Sequence, residues 1–333
     1  MAVRRKMGFS VNDLLLAEEL KDAKILGGKE GLDRQIKGVT IIEAPDIVKF
    51  INGGEVLLTG LYAFRSCSVE EFQKYINELT KKSVSALIMK RGRKVENADI
   101  KIELLLEFAN THGIPVLEDA AEALGSELNG QRCGTFGELA ALSFNGNKMI
   151  TTSGGGALIC RTEEEARQTK FYATQARDAA PHYQHTHIGY NYRMSNICAG
   201  IGRGQMFVLD EHVARRRAIH TLYTELLKDV HGITVLQNPD GRFDSNFWLT
   251  CILVDPSVAG KTREDIRLKL DAENIETRPL WKPMHLQPVF VDAPFYGNGT
   301  SEHLFDIGLC LPSGPTLTDE DIRRVVDTIR QDM

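Results

Sequence analysis

Apolar and polar positions along the first third of the chain alternate in blocks that predict a small α/β unit. A capping box at residues 68–71 opens a helix expected to run to about residue 82, and a second amphipathic helix is predicted over 100–110. Apolar strands are predicted at 84–89 and from residue 114. Helices between strands imply parallel pairing, with ligand groups at the carboxyl ends of the strands.

The rest of the chain predicts further strands and helices in the same way. Strands or extended segments are expected at 139–144, 157–160, 247–254 and 275–280. Helices are expected at about 162–177, over a long region at 195–230, and after capping threonines at 262 and 318. The last third is therefore predicted to be a smaller α+β domain attached through the long helix.

Composition and charge limit the possible partners. The 333 residues are 42% hydrophobic and 26% charged, which is typical of a globular protein with a buried core and long enough for two domains. A net charge of -5 gives no electrostatic reason to expect nucleic acid or an anionic membrane as partner. Basic runs at 91–94 and 215–217 are interpreted as solvated faces.

Cysteine usage and the apolar runs indicate the compartment. The six cysteines are scattered and include no CxxC pair, so neither a disulfide framework nor a zinc knuckle is predicted. No signal peptide or membrane anchor is predicted from the apolar runs. The simplest interpretation is a cytoplasmic, reduced protein.

An acid and a lysine follow two successive predicted strands. Asp119 ends one strand, and Lys148 comes just past the end of the next. Pyridoxal phosphate (PLP) needs a lysine amine to form an imine and a carboxylate to keep its pyridine nitrogen protonated, and these residues can supply that pair. Taken alone, Asp119 could instead cap the next helix, Lys148 could be solvated after its Asn-Gly turn, and the glycines at 153–156 could form only a tight turn.

Four motifs follow in order from about residue 111 to the end of the chain. They lie at 118–125 (EDAAEALG), 143–148 (SFNGNK) with 152–156 (TSGGG), 189–196 (GYNYRMSN) and 278–285 (RPLWKPMH). Together they resemble the DegT/StrS-type, PLP-dependent nucleotide-sugar aminotransferases. The resemblance implies part of a PLP fold-type-I α/β fold, with a mixed, largely parallel sheet and helices over 112–230 and a small α+β domain over 231–333.

Roles in cofactor binding are implied by this resemblance. Lys148 matches the Schiff-base lysine, which also moves the proton between the substrate carbon and the cofactor. Asp119 matches the partner of the pyridinium nitrogen, and Glu122 matches the residue that contacts the ring hydroxyl. Ser143 matches a phosphate-binding hydroxyl. Asn191 matches an asparagine that reaches the phosphate in the neighbouring subunit, so a homodimer is expected.

Substrate and reaction are implied in the same way. The expected activity moves an amino group from a donor such as glutamate to a keto sugar nucleotide in two ping-pong half-reactions, as in amino-sugar or polysaccharide biosynthesis. The residues expected around the substrate are Tyr183, His185, Trp281 and His285. The histidines of the 182–187 loop could suggest a metal, but the resemblance places them in a substrate loop and no metal site is expected.

The amino-terminal third carries a different resemblance. Its motifs lie at 11–15 (VNDLL), 31–34 (GLDR), 42–46 (IEAPD) and 53–60 (GGEVLLTG). They resemble the amino-terminal α/β domain of the purine-catabolism regulator (PucR-like) family over about 7–117, a sensory module. This segment stands where the aminotransferases carry a Ser-Gly-Thr-type turn that binds the phosphate. The two resemblances meet at 112–119, which indicates a chimera.

Two other interpretations remain open at this point. One is a non-catalytic sensor or binding protein of the regulator type with a relic aminotransferase domain. The other is a chain that does not fold as one stable unit, because its first domain was not shaped for the core of the second. A bound cofactor would colour a folded enzyme yellow and would leave a binding module colourless.

Overall fold

A computed structural model describes residues 39–42, 46–49, 55–60, 86–90, 98–293, 295–296 and 299–331. The helix predicted at 68–82 and the regulator-like motifs at 11–15 and 31–34 lie outside these residues. In the part of the chain that is described, no helix is both long enough and apolar enough to span a membrane.

The described strands and helices alternate through most of the chain. The strands are β1 (Val39–Ile42), β2 (Asp46–Lys49), β3 (Glu55–Gly60), β4 (Ala86–Lys90), β5 (Val116–Asp119), β6 (Glu127–Leu128), β7 (Gln131–Arg132), β8 (Leu139–Ser143), β9 (Gly156–Cys160), β10 (Ile233–Val235), β11 (Phe243–Asp244), β12 (Thr250–Val254), β13 (Arg278–Pro279), β14 (Phe295–Tyr296) and β15 (Gly308–Leu311). The helices are α1 (Ala98–Thr111), α2 (Glu163–Ala173), α3 (Asn196–Met206), α4 (Leu209–Leu227), α5 (Pro256–Ala259), α6 (Arg263–Ala272), α7 (Thr300–Ile307) and α8 (Asp319–Arg330).

The largest sheet carries the predicted parallel centre. Its strand order is β14-β1-β2-β3-β4-β5-β8-β9, in which β3, β4, β5 and β8 are parallel and β9 is antiparallel to β8. Asp119 pairs with Lys90 on one side and with Ala141 on the other. The strands before residue 91 therefore belong to the same sheet as the strand that ends in Asp119. The predicted α/β fold is confirmed.

The carboxyl-terminal third contains a second sheet packed against helices. Its antiparallel sheet has the order β10-β12-β15-β13. Helices α4, α6 and α8 contribute Tyr223, Leu270 and Val326 to one core with Ile252 and Leu309 of the sheet. Val254 and Leu311, two residues further along the same strands, belong to the same core, so alternate strand positions face the helices and form a hydrophobic layer.

Local signals predicted three helix starts correctly. Thr162, Thr262 and Thr318 each accept a hydrogen bond from the backbone N–H three residues later, and the acid at that position bonds back to the threonine. Each box satisfies N–H groups that would otherwise lack a partner at the helix start. Helix α1 is confirmed as well, and Gly113 follows it at φ +64°.

Two helix predictions were wrong in extent. The helix expected to reach about residue 177 ends at Ala173, because Gln175 and Ala176 adopt positive φ values of 68° and 47°. The long helix expected over 195–230 is two helices, with a break at residues 207–208 between α3 and α4. The glycines of α3 give it low helix propensity, whereas α4 begins where Leu209 enters the core.

The strand predicted over 247–254 starts later, at Thr250. Phe247 has φ +45°, which a β-strand does not accommodate. Residues 245–248 instead form a turn, in which the Ser245 and Asn246 side chains accept the N–H groups of Phe247 and Trp248. The segment expected to be extended over 275–280 forms a strand only at Arg278–Pro279.

Candidate active site

Lys148 and Glu122 form an ion pair beside the large sheet. The Lys148 Nζ donates to Glu122 Oε1 at 3.1 Å, and the two side chains are 13% and 21% exposed. Twenty-six positions separate them in the chain. The structure thus brings together the residue expected to bind PLP covalently and the one expected beside its ring hydroxyl.

Asp119 and Ser143 end the neighbouring parallel strands β5 and β8. Asp119 Oδ1 accepts the Ala121 N–H at 3.2 Å, which directs the chain from the strand towards Glu122. Ser143 Oγ accepts the Asn145 N–H at 3.4 Å, at the start of the segment that carries Lys148. Because β5 and β8 are parallel, both side chains lie at the same edge of the sheet.

The buried side chain of Glu118 helps to hold this edge of the sheet in place. Glu118 is fully buried, and it accepts the N–H groups of Gly134 at 2.7 Å and Phe136 at 3.0 Å. Hydrogen bonds to an ionised acceptor are stronger than bonds between neutral groups. Glu118 therefore ties the turn before β8 to the strand that ends in Asp119.

The lysine segment is closed into a compact loop by backbone contacts. Phe144 N donates to Gly155 O, and Thr152 N donates to Phe144 O, both at 2.9 Å. Gly155 has φ +98°, and a Cβ added there would lie 2.9 Å from Met194 Cε. The loop therefore needs glycine at this position, as its predicted tight turn requires.

Three residues that the sequence did not reveal contact Lys148 or the Glu122 segment. Trp248 presents its ring 4.2 Å from Lys148 Nζ. Asn246 donates to the carbonyls of Glu122 and Leu124, both at 2.9 Å. Arg216 donates to the carbonyls of Trp248 and Lys148.

The burial of Arg216 corrects the interpretation of residues 215–217 as a solvated face. Arg216 is 5% exposed and also donates to the Ser313 carbonyl at 3.0 Å. Its neighbours are partly buried as well: Arg215 pairs with Asp319 at 2.9 Å, and Arg217 donates to Ser245 O at 3.0 Å. Helical spacing with Ile219, Tyr223 and Leu227, all buried, was the signal in the sequence.

Trp281 lies next to this group of residues, and His285 has partners of its own. The ring centroids of Trp281 and Trp248 are 6.0 Å apart, and Trp281 is 44% exposed. His285 stacks on Phe295 with a centroid distance of 3.6 Å, and its Nε2 lies 2.6 Å from Glu302 Oε1. Trp281 is therefore joined to Lys148 through Trp248, and the expected substrate role of His285 stays a prediction.

Tyr183 and His185 lie in an exposed loop. Tyr183 is 75% exposed, with the Arg177 guanidinium 4.4 Å from its ring, and His185 Nδ1 lies 2.8 Å from Gln175 O. Asn191 is exposed and bridges to Thr174. Their expected roles in substrate binding and in the neighbouring subunit stay predictions.

An exposed apolar surface, here called the α3 surface, adjoins the lysine loop. Its members are large hydrophobic side chains between 49% and 85% exposed: Ile188, Tyr192, Ile197, Ile201, Met206 and Phe207. Neighbouring positions of α3 touch the loop, since the Gln205 side chain accepts the Thr151 N–H at 3.3 Å and a Cβ on Gly202 would lie 2.8 Å from Thr152 Cγ2. Exposed apolar patches of this kind mark interaction surfaces.

The residues present fit the ring of PLP. Its aldehyde and its phenolic hydroxyl occupy adjacent ring carbons, so the amine and the acid that serve them must be neighbours, as Lys148 Nζ and Glu122 Oε1 are at 3.1 Å. A carboxylate at Asp119, three residues before Glu122, and a hydroxyl at Ser143 lie at the same edge of the sheet. Among the described residues, no cluster of three or more His, Cys, Asp or Glu side chains could hold a metal ion.

Comparison with known protein families gives two overlapping matches. The model of the DegT/DnrJ/EryC1/StrS aminotransferase family matches residues 75–330. The model of the purine catabolism regulatory protein-like family matches residues 13–123. The first covers more than half of the chain, and the second covers the amino-terminal third.

Curated relatives and solved structures agree with the first match. The chain is 45% identical to EpsN of Bacillus subtilis (strain 168), named as a PLP-dependent aminotransferase, over 69% of this chain and 59% of EpsN. It is 29% identical to GDP-perosamine synthase of Escherichia coli O157:H7 over 92% of this chain and 80% of that protein. The fold resembles DesV of S. venezuelae, solved with a ketimine intermediate, with 27% identity, a TM-score of 0.66 and coverage of 78% and 68%. The match thus spans less than two thirds of the length of EpsN.

Proposed function

This chain belongs to the DegT/DnrJ/EryC1/StrS aminotransferase family, which is PLP-dependent, and we propose that it transfers an amino group to a keto sugar nucleotide. The observation that carries the proposal is the contact between Lys148 Nζ and Glu122 Oε1, beside the strand that ends in Asp119. Covalent PLP chemistry uses a lysine amine for the imine and a carboxylate for the ring nitrogen, for which Lys148 and Asp119 are the candidates.

The cofactor site is proposed to use residues of three segments. When bound, PLP supplies an aldehyde that captures amines and a ring that accepts electrons. Asp119 would hold the proton on the ring nitrogen, and Glu122 would bind the ring hydroxyl. Lys148 would bind the cofactor through Nζ and, once the amino donor has displaced it, would move a proton at the substrate carbon with the same atom, which lies 3.1 Å from Glu122 Oε1. Ser143 would donate to the phosphate.

A sugar nucleotide substrate is supported by the relatives. Similar proteins include GDP-perosamine synthases from Escherichia coli and Caulobacter vibrioides, and the latter is 33% identical over 68% of this chain. Trp281, exposed next to Trp248, is proposed to contact this substrate together with His285, Tyr183 and His185. Glutamate is proposed as the amino donor, and a cytoplasmic location stays a prediction from the cysteines.

A second copy of this chain is proposed to cover the α3 surface. Helix α3 has no buried residue, although Ile197 and Ile201 follow helical spacing and are 72% and 49% exposed. The α3 surface is continuous with the loop of residues 189–196, which carries the exposed Asn191. A two-fold dimer through this face would bring the Asn191 of one protomer towards the lysine loop of its partner.

The amino-terminal segment is proposed to be a regulator-type domain joined through a shared sheet. The purine catabolism regulatory protein-like match to residues 13–123 supports this reading, and so does the continuity of β3, β4 and β5 in one parallel sheet. This match also favours a second candidate function, a sensor that binds a small molecule without turnover. If the protein is such a sensor, adding glutamate to the protein mixed with PLP should leave the absorbance spectrum unchanged.

Two half-reactions, measured separately, test the proposed activity. The protein is loaded with PLP, freed of excess cofactor and mixed with glutamate, and 2-oxoglutarate is quantified against protein concentration. One equivalent per active site, followed by amino transfer to a panel of 4-keto sugar nucleotides, is the expected result. A Lys148→Ala variant is the matched control. Absence of 2-oxoglutarate from the loaded wild-type protein contradicts the proposal.

A further inference from the structure

Trp248 occupies a position beside Lys148 that neither a motif nor a comparison assigns. It is 6% exposed, its ring faces Lys148 Nζ at 4.2 Å, and its indole N–H donates to the Asn147 carbonyl. An ammonium group over an indole face is attracted by the negative face of the ring quadrupole, most strongly where water is excluded. The Lys148 side chain is 13% exposed, so this contact is largely shielded.

The turn that presents Trp248 is fixed by Asn246. Asn246 is 3% exposed, and its Oδ1 accepts the Trp248 N–H at 2.9 Å. Its Nδ2 donates to the carbonyls of Glu122 and Leu124, both at 2.9 Å. A single amide side chain therefore sets the indole and the Glu122 segment at a fixed separation, and Lys148 Nζ contacts both.

Backbone strain in this turn is another sign that it is held in place. Phe247 has φ +45°, a conformation that side chains other than glycine rarely adopt. The ring of Phe247 stacks on His220 at a centroid distance of 3.6 Å. Strained residues persist only where the surroundings determine them, and they cluster at functional sites. Here the strain turns Trp248 towards the lysine.

Arg216 also connects Trp248 to Lys148, through the backbone carbonyls of both residues. Its guanidinium donates to the carbonyl of Trp248 and, at 3.5 Å, to the carbonyl of Lys148. The two residues in contact through their side chains are thus also held together through their main chains. Since Trp248 lies two residues before the start of β12, the carboxyl-terminal sheet takes part in placing the lysine.

We propose that Trp248 is a positioning residue for Lys148, whose amine it holds within hydrogen-bonding reach of Glu122. The inference rests on the proposed function for its catalytic meaning, since the contact would fix where the Lys148 nitrogen lies relative to the cofactor, and the nitrogen reacts with PLP only after it has lost its proton. The contact itself exists without cofactor and can be measured without it.

Competitive acetylation of the cofactor-free protein, mapped by mass spectrometry, measures this contact directly. In Trp248→Leu, acetylation of Lys148 should rise roughly two- to thirtyfold, the range expected when a cation–π contact is lost. Trp248→Phe should give a smaller rise. Val213→Ala is the matched control, because Val213 packs in the same apolar cluster as Trp248. Equal acetylation in wild type and Trp248→Leu, or an equal rise in Val213→Ala, overturns the proposal.

Tryptophan fluorescence provides a second measurement that is independent of turnover. The chain has two tryptophans, so Trp281→Phe leaves Trp248 as the single reporter. In that background, Lys148→Met should change the emission intensity of Trp248, whereas Lys228→Met, at an exposed position after α4, should not. Unchanged emission on removal of Lys148 contradicts the contact. Both experiments remain informative if the protein proves unable to bind PLP, so failure of the proposed function is distinguishable.

Discussion

Replacement of Arg216 by methionine should destabilise the protein strongly, because the guanidinium joins three segments of backbone. It is 5% exposed and donates to the carbonyls of Trp248, Ser313 and Lys148, the last at 3.5 Å. A hydrogen bond from a charged group contributes about 1.5–3 kcal/mol, so the two shorter bonds together are worth about 3–6 kcal/mol. Methionine fills the volume and recovers part of this through apolar packing. We therefore expect a net loss of about 3–4 kcal/mol.

Thermal unfolding followed by circular dichroism at matched protein concentration measures this loss. At about 2–4 °C per kcal/mol, the Tm of Arg216→Met should fall by roughly 6–16 °C. Arg323→Met is the control, because Arg323 is exposed on α8, and surface substitutions usually change stability by no more than about 0.5 kcal/mol. If Arg216→Met lowers the Tm no more than this control does, the assignment of Arg216 as the link between the lysine loop and the small domain is wrong.

Three further predictions address the loop, the dimer and the last helix. Gly155→Ala should lower the Tm, because the glycine has φ +98° and an added Cβ would lie 2.9 Å from a methionine carbon. Gly146→Ala should leave the Tm unchanged, because a Cβ added there has no atom within 4 Å. Equal Tm values for the two variants would contradict the strain argument. Equal amounts of Lys148→Ala and Asn191→Ala, each tested as inactive, should regain about a quarter of wild-type activity on mixing if the sites are shared across a two-fold dimer, and no recovery would argue against sharing. Hydrogen bonds from the backbone and hydroxyl of the capping threonine lower the pKa of Asp321, so the stabilisation by its charged form is present at neutral pH and disappears as the pH falls through the lowered pKa. The Tm difference between wild type and Asp321→Asn should therefore shrink between pH 7 and pH 2. A constant difference would refute the linkage.

Local sequence signals predicted the elements whose cause is local. Thr162, Thr262 and Thr318 are each followed three residues later by an acid, and this spacing alone specifies the capping box. Alternating apolar strands and helices likewise predicted the parallel sheet that positions Asp119. The contact between Glu122 and Lys148 could be expected only through the family resemblance, because 26 positions separate the two residues.

Residues that act through the three-dimensional fold were not found by the same reasoning. The positive φ of Phe247 cannot be read from its residue type, and without it Trp248 would be the second residue of an ordinary strand. The buried role of Arg216 was not recognised, because the residue stands in a run of three arginines. Its helical spacing with buried Tyr223 nevertheless marks the apolar face of α4. Both errors concern residues whose partners come from distant segments, which composition and periodicity do not specify.

Borohydride reduction shows whether Lys148 forms a covalent imine with PLP, on which the proposed activity depends. Purified protein is incubated with PLP, its absorbance spectrum is recorded, borohydride is added, and the peptides are mapped by mass spectrometry. We expect a visible band that disappears on reduction, a pyridoxyl phosphate group on Lys148 alone at stoichiometric yield, and no band in Lys148→Ala. Labelling spread over several surface lysines, or an equal band in Lys148→Ala, would contradict it.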